Sequence, residues 1–137
     1  MKTLILGLGN PILGDDSAGL KVAEIIRRRM TLDPSIEVSE DYWGGDLAAG
    51  DKKAVRQQLF KGNEYWFWLG TEVEAAKVSV HVYDSDGKLV EQPDGWQKGH
   101  FAAAHVIPKS TGSYFIIVEI EQSPEERTHW ALVYGFR

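Results

Sequence analysis

Residues 3–19 read TLILGLGNPILGDDSAG, and the fold expected of the chain turns on that stretch. Leu4, Ile5, Leu6 and Leu8 form a short run that is apolar on both faces, as a buried parallel strand requires. Gly7, Gly9 and Asn10-Pro11 then turn the chain. Asp15, Asp16 and Ser17 open a helix, because carboxylates and hydroxyls there accept hydrogen bonds from unpaired amide N–H groups and suit the positive helix end. Strand, glycine turn and acidic helix start together place two carboxylates at the carboxyl edge of a sheet. Open α/β sheets bind ligands along that edge.

Outward from this corner, Ala18, Val22, Ile26 and Met30 recur every fourth residue as one apolar helical stripe. Arg27, Arg28 and Arg29 fall in the last turn, where cations suit the negative helix end. Asp33-Pro34 stops the helix, and Ile36 to Ser39 starts a second strand that ends at Tyr42-Trp43-Gly44-Gly45. Residues 3–43 thus predict a strand–helix–strand unit. Beyond Gly45 the pattern changes. Tyr65-Trp66-Phe67-Trp68-Leu69 is strand-forming by composition, and Val78, Val80 and Val82 alternate with Ser79 and His81. Asp84-Ser85-Asp86-Gly87 marks a hairpin turn, and the last strand carries Trp130, Leu132, Tyr134 and Phe136 on one face. About six short antiparallel strands separated by turn residues predict a β-sandwich. The fold expected is therefore an α+β composite. Residues 1–45 form a βαβ unit, half of an α/β sheet, and residues 46–137 form an antiparallel β-sandwich module.

Composition narrows the function. The chain has 137 residues, 43% of them hydrophobic, which suits one ordinary domain or two small ones with a packed core. Its net charge of -5 argues against a nucleic-acid or anionic-membrane partner. The lack of cysteine excludes a disulfide, a thiolate metal site and a cysteine nucleophile. Lys2 and the apolar run after it resemble a signal peptide, but Gly9-Asn10-Pro11 interrupts them and Asp15 and Asp16 close them, so the expected location is cytoplasmic.

The motifs Ile5-Leu6-Gly7-Leu8-Gly9-Asn10, Leu13-Gly14-Asp15-Asp16 and Gly19-Leu20-Lys21-Val22-Ala23, with Glu40 to Gly45, resemble the front of the hydrogenase maturation endopeptidases. The resemblance implies a nickel-dependent protease lineage whose partner is a hydrogenase large subunit precursor. It places Asp16 at the first nickel-binding carboxylate and His100 at a later histidine ligand, with the nickel carried by the substrate. The family's second acidic ligand falls at Leu69-Gly70, so the implied active site is incomplete. Residues 46–137 resemble in outline a bacterial prepeptidase C-terminal β-sandwich, through Val78 to Gly87 and Thr111-Gly112-Ser113-Tyr114. The rival function is a non-enzymatic β-sandwich binding module in a chimeric chain. A 45-residue front cannot cover its own sheet, so packing on the second half or a homo-oligomer is expected.

Other candidates have structural readings. Gly7 and Gly9 lack the third glycine of a dinucleotide loop, since Ile12 stands in its place. Asp84 and Asp86 read as a turn, because the remainder of a calcium loop is missing. His81, His100, His105 and His129 share no metal-ligand spacing. Trp66, Trp68, Trp96 and Trp130 read as sandwich core or as a stacking platform.

Overall fold

The computed structural model describes residues 17–29 and 34–137. The opening strand, the glycine turn, Asp15 and Asp16 lie outside the described residues. Helix α1 spans Ser17–Arg29. Eight strands follow: β1 Glu37–Leu47, β2 Lys52–Leu59, β3 Tyr65–Gly70, β4 Lys77–Asp84, β5 Trp96–Lys98, β6 Phe101–Val106, β7 Gly112–Gln122 and β8 Thr128–Phe136. They form a five-stranded sheet in the order β1-β8-β3-β6-β5 and a three-stranded sheet in the order β2-β7-β4. Every pairing among the described residues is antiparallel. All connections except the β5–β6 turn pass from one sheet to the other.

The side-chain alternation explains how the sheets stack. In β7, Tyr114, Ile116, Val118 and Ile120 are buried, with half-exposed residues between them. They meet Val78, Val80 and Val82 of β4 on the same face, and Phe67, Leu69, Trp130 and Leu132 across the core. Strand β3 differs, since its aromatic run is buried almost throughout. Phe67 and Leu69 point between the sheets, whereas Trp68 belongs to a second cluster on the outer face with Tyr42, Ala103, Ala131 and Val133. Val22, Ala23 and Ile26 of α1 cover that cluster. A strand buried on both faces needs no polar alternation, which accounts for the sequence YWFWLG.

This architecture overturns the α+β composite. Residues 37–47 are no parallel strand of a βαβ unit. They pair antiparallel with β8, from Glu37↔Phe136 to Leu47↔Thr128. The strand also runs straight through Gly44-Gly45, which the sequence suggested as its end. Gly45 lies opposite Trp130, and a Cβ there would stand 3.2 Å from the indole ring. The glycine makes room for a core tryptophan and makes no turn. Helix α1 is a cover on an antiparallel sheet, and no helix among the described residues is long and apolar enough to cross a membrane.

Candidate functional site

The sheet order brings the 60–64, 84–95 and 107–111 connections to one end of the sandwich, together with the chain terminus at Arg137. Large apolar residues are exposed there: Phe60 at 36%, Leu89 at 54% and Ile107 at 47%. The further exposed large apolar residue among those described is Trp96, on the segment that runs away from this end. Each of the three connections also carries an exposed lysine, at Lys61, Lys88 and Lys109. Single exposed apolar side chains are ordinary on a protein surface, but here three fall on neighbouring turns at one end.

The turns are fixed from below. The Phe60 N–H and Asn63 Nδ2 donate to the Tyr65 hydroxyl, at 3.0 and 3.2 Å. The Lys61 N–H donates to Thr111 Oγ1 at 2.9 Å, tying one turn to the next. Tyr114 Oη donates to the Ser110 carbonyl at 2.6 Å. In the third turn, Asp84 Oδ1 accepts from the N–H groups of Asp86 and Lys88, both at 2.9 Å, and Gly87 takes the left-handed φ of 81°. Asp84 therefore serves the turn, as the sequence suggested. A surface held this rigidly loses little entropy on docking.

Beneath the turns lies a polar chain. His105 is nearly buried, its side chain 9% exposed. Its Nδ1 faces Asp94 Oδ1 at 2.7 Å and its Nε2 faces Glu64 Oε2 at 2.5 Å. Each contact is a hydrogen bond where either the ring nitrogen or the facing carboxyl carries a proton. The ring stacks on Trp66, with centroids 4.3 Å apart and planes 2° from parallel. Arg137 Nε donates to Glu64 Oε1 at 2.6 Å and Nη1 donates to Ser35 Oγ at 2.5 Å. The Arg137 guanidinium, and to a lesser degree His105, hold the Glu64 carboxyl below its ordinary 4.5, against the opposing effect of burial. The chain links segments far apart in sequence, and its carboxylates lie on opposite sides of the imidazole, so they cannot share one metal ion.

The metal site expected from the sequence, Asp16 with His100, is only half within the described residues. Asp16 lies outside the described residues. His100 sits in the β5–β6 turn at the other end of the sandwich, its ring 4.4 Å from that of Phe101. Among the described residues no three His, Asp or Glu side chains form a metal-ligating group. Trp68 and Trp130 are core, while Trp66 is half-buried and Trp96 is 39% exposed. The sequence reading missed Phe60 and Ile107 because each continues a strand pattern. The available signal was an apolar residue beside turn formers, Gly62-Asn63 in one case and Pro108 in the other.

Sheet order, helix position and antiparallel pairing define the class as an antiparallel β-sandwich with a helix on one outer face. Among solved structures the chain is similar to Aeromonas hydrophila PliG, a periplasmic lysozyme inhibitor of g-type lysozyme. The two are 13% identical with a TM-score of 0.50, over 71% of this chain and 85% of that one. No protein-family model and no curated protein matches. The β-rich neighbour and the antiparallel β1–β8 ladder overturn the hydrogenase maturation endopeptidase resemblance, and with it the nickel-dependent protease reading. The prepeptidase C-terminal resemblance gives way to the same neighbour. The neighbour is periplasmic by its own description, so the fold lends no support to the cytoplasmic location expected from the sequence.

Proposed function

We propose that this chain is a non-enzymatic β-sandwich binding module that docks a protein partner on the end formed by the 60–64, 84–91 and 107–111 turns. One observation carries the reading: Phe60, Leu89 and Ile107 are exposed on three neighbouring turns, each with a lysine beside it or two residues away. Loops held on a rigid sandwich are a common place for binding residues. Apolar anchors rimmed by polar groups are the ordinary make-up of a protein interface. The fold neighbour inhibits g-type lysozyme, which makes that enzyme the partner to test.

The test is calorimetric titration of the full chain with g-type lysozyme, beside a variant carrying Phe60→Ser, Leu89→Ser and Ile107→Ser. Saturable one-to-one binding is expected for the wild type, weakened at least ~100-fold in the variant, since anchor residues each contribute above about 1 kcal/mol. Absence of binding by the wild type, or equal affinity in both proteins, would overturn the proposal.

A further inference from the structure

The free edge of β4 is closed at two points and open between them. At Val78, the N–H donates to the Gly99 carbonyl at 3.0 Å, and the carbonyl accepts from Gln97 Nε2 at 2.9 Å. At Val82, the N–H donates to Glu91 Oε2 and the carbonyl accepts from the Val90 N–H, both at 3.0 Å. In an antiparallel strand, alternate residues turn their backbone groups to the same side. The β4–β7 register is regular from Val78 to Asp84, so the Val80 N–H and C=O point to the same edge as those of Val78 and Val82. No partner for them is found among the described residues. They face a cleft of about 230 Å³ between β4 and the 91–97 segment, whose lining includes Val80, His81, Gln92, Trp96 and Gln97.

Sheet edges are normally blunted, and here residues 88–99 blunt every outward position of β4 around this one. The segment passes close by: a Cβ on Gly95 would come within 2.8 Å of the Ala103 carbonyl, so glycine lets the segment lie against β6 and leaves the gap open. Val80 presents both a donor and an acceptor from a single residue. A single amide cannot satisfy both, because its N–H and C=O point in opposite directions. One extended amino-acid residue flanked by two peptide groups can, as in a hydrogen-bonded antiparallel pair. The volume is below the ~300 Å³ at which drug-sized pockets begin, which fits one residue and excludes a long strand.

From this geometry we infer a second binding site: the Val80 gap takes a single extended residue of a peptide, with its apolar side chain on the same face as that of Val80, toward Gln97 and Ala102 of the cleft wall. This site is separate from the proposed docking end and does not depend on it. The probe is N-acetyl-leucine N-methylamide, titrated into the full-length ¹⁵N-labelled chain and followed by amide NMR. The Val80 amide should move downfield with saturation, with a Kd on the order of 1 mM for two backbone hydrogen bonds and one apolar contact. N-methylacetamide, with one amide, should bind at least ~10-fold more weakly by the same comparison. Val80→Pro removes the N–H without breaking a ladder bond and should abolish binding. If that variant fails to fold, the N-methylated analogue N-acetyl-N-methyl-leucine N-methylamide decides, because it lacks the N–H that would donate to the Val80 carbonyl. It should bind the wild-type chain at least ~10-fold more weakly than N-acetyl-leucine N-methylamide. A stationary Val80 amide, or equal affinity for N-acetyl-leucine N-methylamide and either weaker probe, would overturn the site.

Discussion

The two ends of the sandwich are built from the same eight strands and differ in almost every other respect. At one end the turns carry Phe60, Leu89 and Ile107 with Lys61, Lys88 and Lys109. At the other, the connections 48–51, 71–76 and 123–127 carry Asp51, Glu72, Glu74, Glu125 and Glu126 against Arg127. No exposed large apolar residue is found in those three connections. The ion pairs differ as well. Glu64–Arg137 is one link in a chain from Ser35 to Asp94 through a nearly buried imidazole. Arg127 pairs with Asp46 at 3.2 Å, with both side chains about half exposed. Strand pairing alone would ask neither end to be apolar or cross-linked. The difference teaches that the acidic end is finished as solvated surface, whereas the other leaves apolar side chains exposed on cross-linked turns, as the proposed docking requires.

Charge reversal should separate the ends most strongly. Lys61→Glu, Lys88→Glu and Lys109→Glu together should weaken g-type lysozyme binding by about 10–100-fold, mainly through a slower association rate that depends steeply on salt. Surface plasmon resonance at two salt concentrations reads both effects. An unchanged association rate would leave the lysines as mere solubilising charge.

Next in size is His105→Leu, which removes both acid contacts and the stack on Trp66. A cost of about 1–3 kcal/mol in urea unfolding is expected for a half-buried polar network that loses its centre. Hydrogen exchange should quicken at the Gln92 amide, which donates to the His105 carbonyl. The Thr71 amide at the acidic end, bonded to the His100 carbonyl, should not change. Equal loosening at both ends would mean that the network supports the whole sandwich and not one end.

Acid gives a smaller effect of known sign. Glu64 has its folded pKa lowered below 4.5, first by the Arg137 guanidinium. Such a group contributes stability that is complete above its unfolded value and disappears as pH falls through its folded one. Unfolding free energy should therefore fall below pH 4.5, and Arg137→Ala should make that fall shallower. The contribution stays under about 1 kcal/mol, because the partner arginine is substantially exposed. The smallest effect belongs to Arg127→Ala at the acidic end, where no shift of the unfolding midpoint is expected from thermal melts at neutral pH.

The strands were legible because the local pattern that defines them is also what the core demands. Val78, Val80 and Val82, and Trp130 through Phe136, form strands with their inward faces where alternation puts them. The architecture was less legible, since Gly44-Gly45 carries the same letters whether a glycine turns the chain or clears space for an indole. Only the position of Trp130, far along the sequence, decides between them. A helix before a strand reads as βαβ for the same reason, because local pattern does not reveal a partner strand at the far terminus. The polar chain was hidden by distance. His105 meets Glu64 across 41 positions, and no spacing rule joins a strand histidine to a turn glutamate.

The central claim is that one end faces a partner and the other faces water. Two triple variants, assayed side by side for g-type lysozyme affinity, test it most directly. Phe60→Ser, Leu89→Ser and Ile107→Ser should lose at least ~100-fold, whereas Glu74→Ser, Glu125→Ser and Glu126→Ser should stay within about 2-fold of the wild type. Loss in the acidic-end variant with affinity retained in the other would contradict the assignment of the ends.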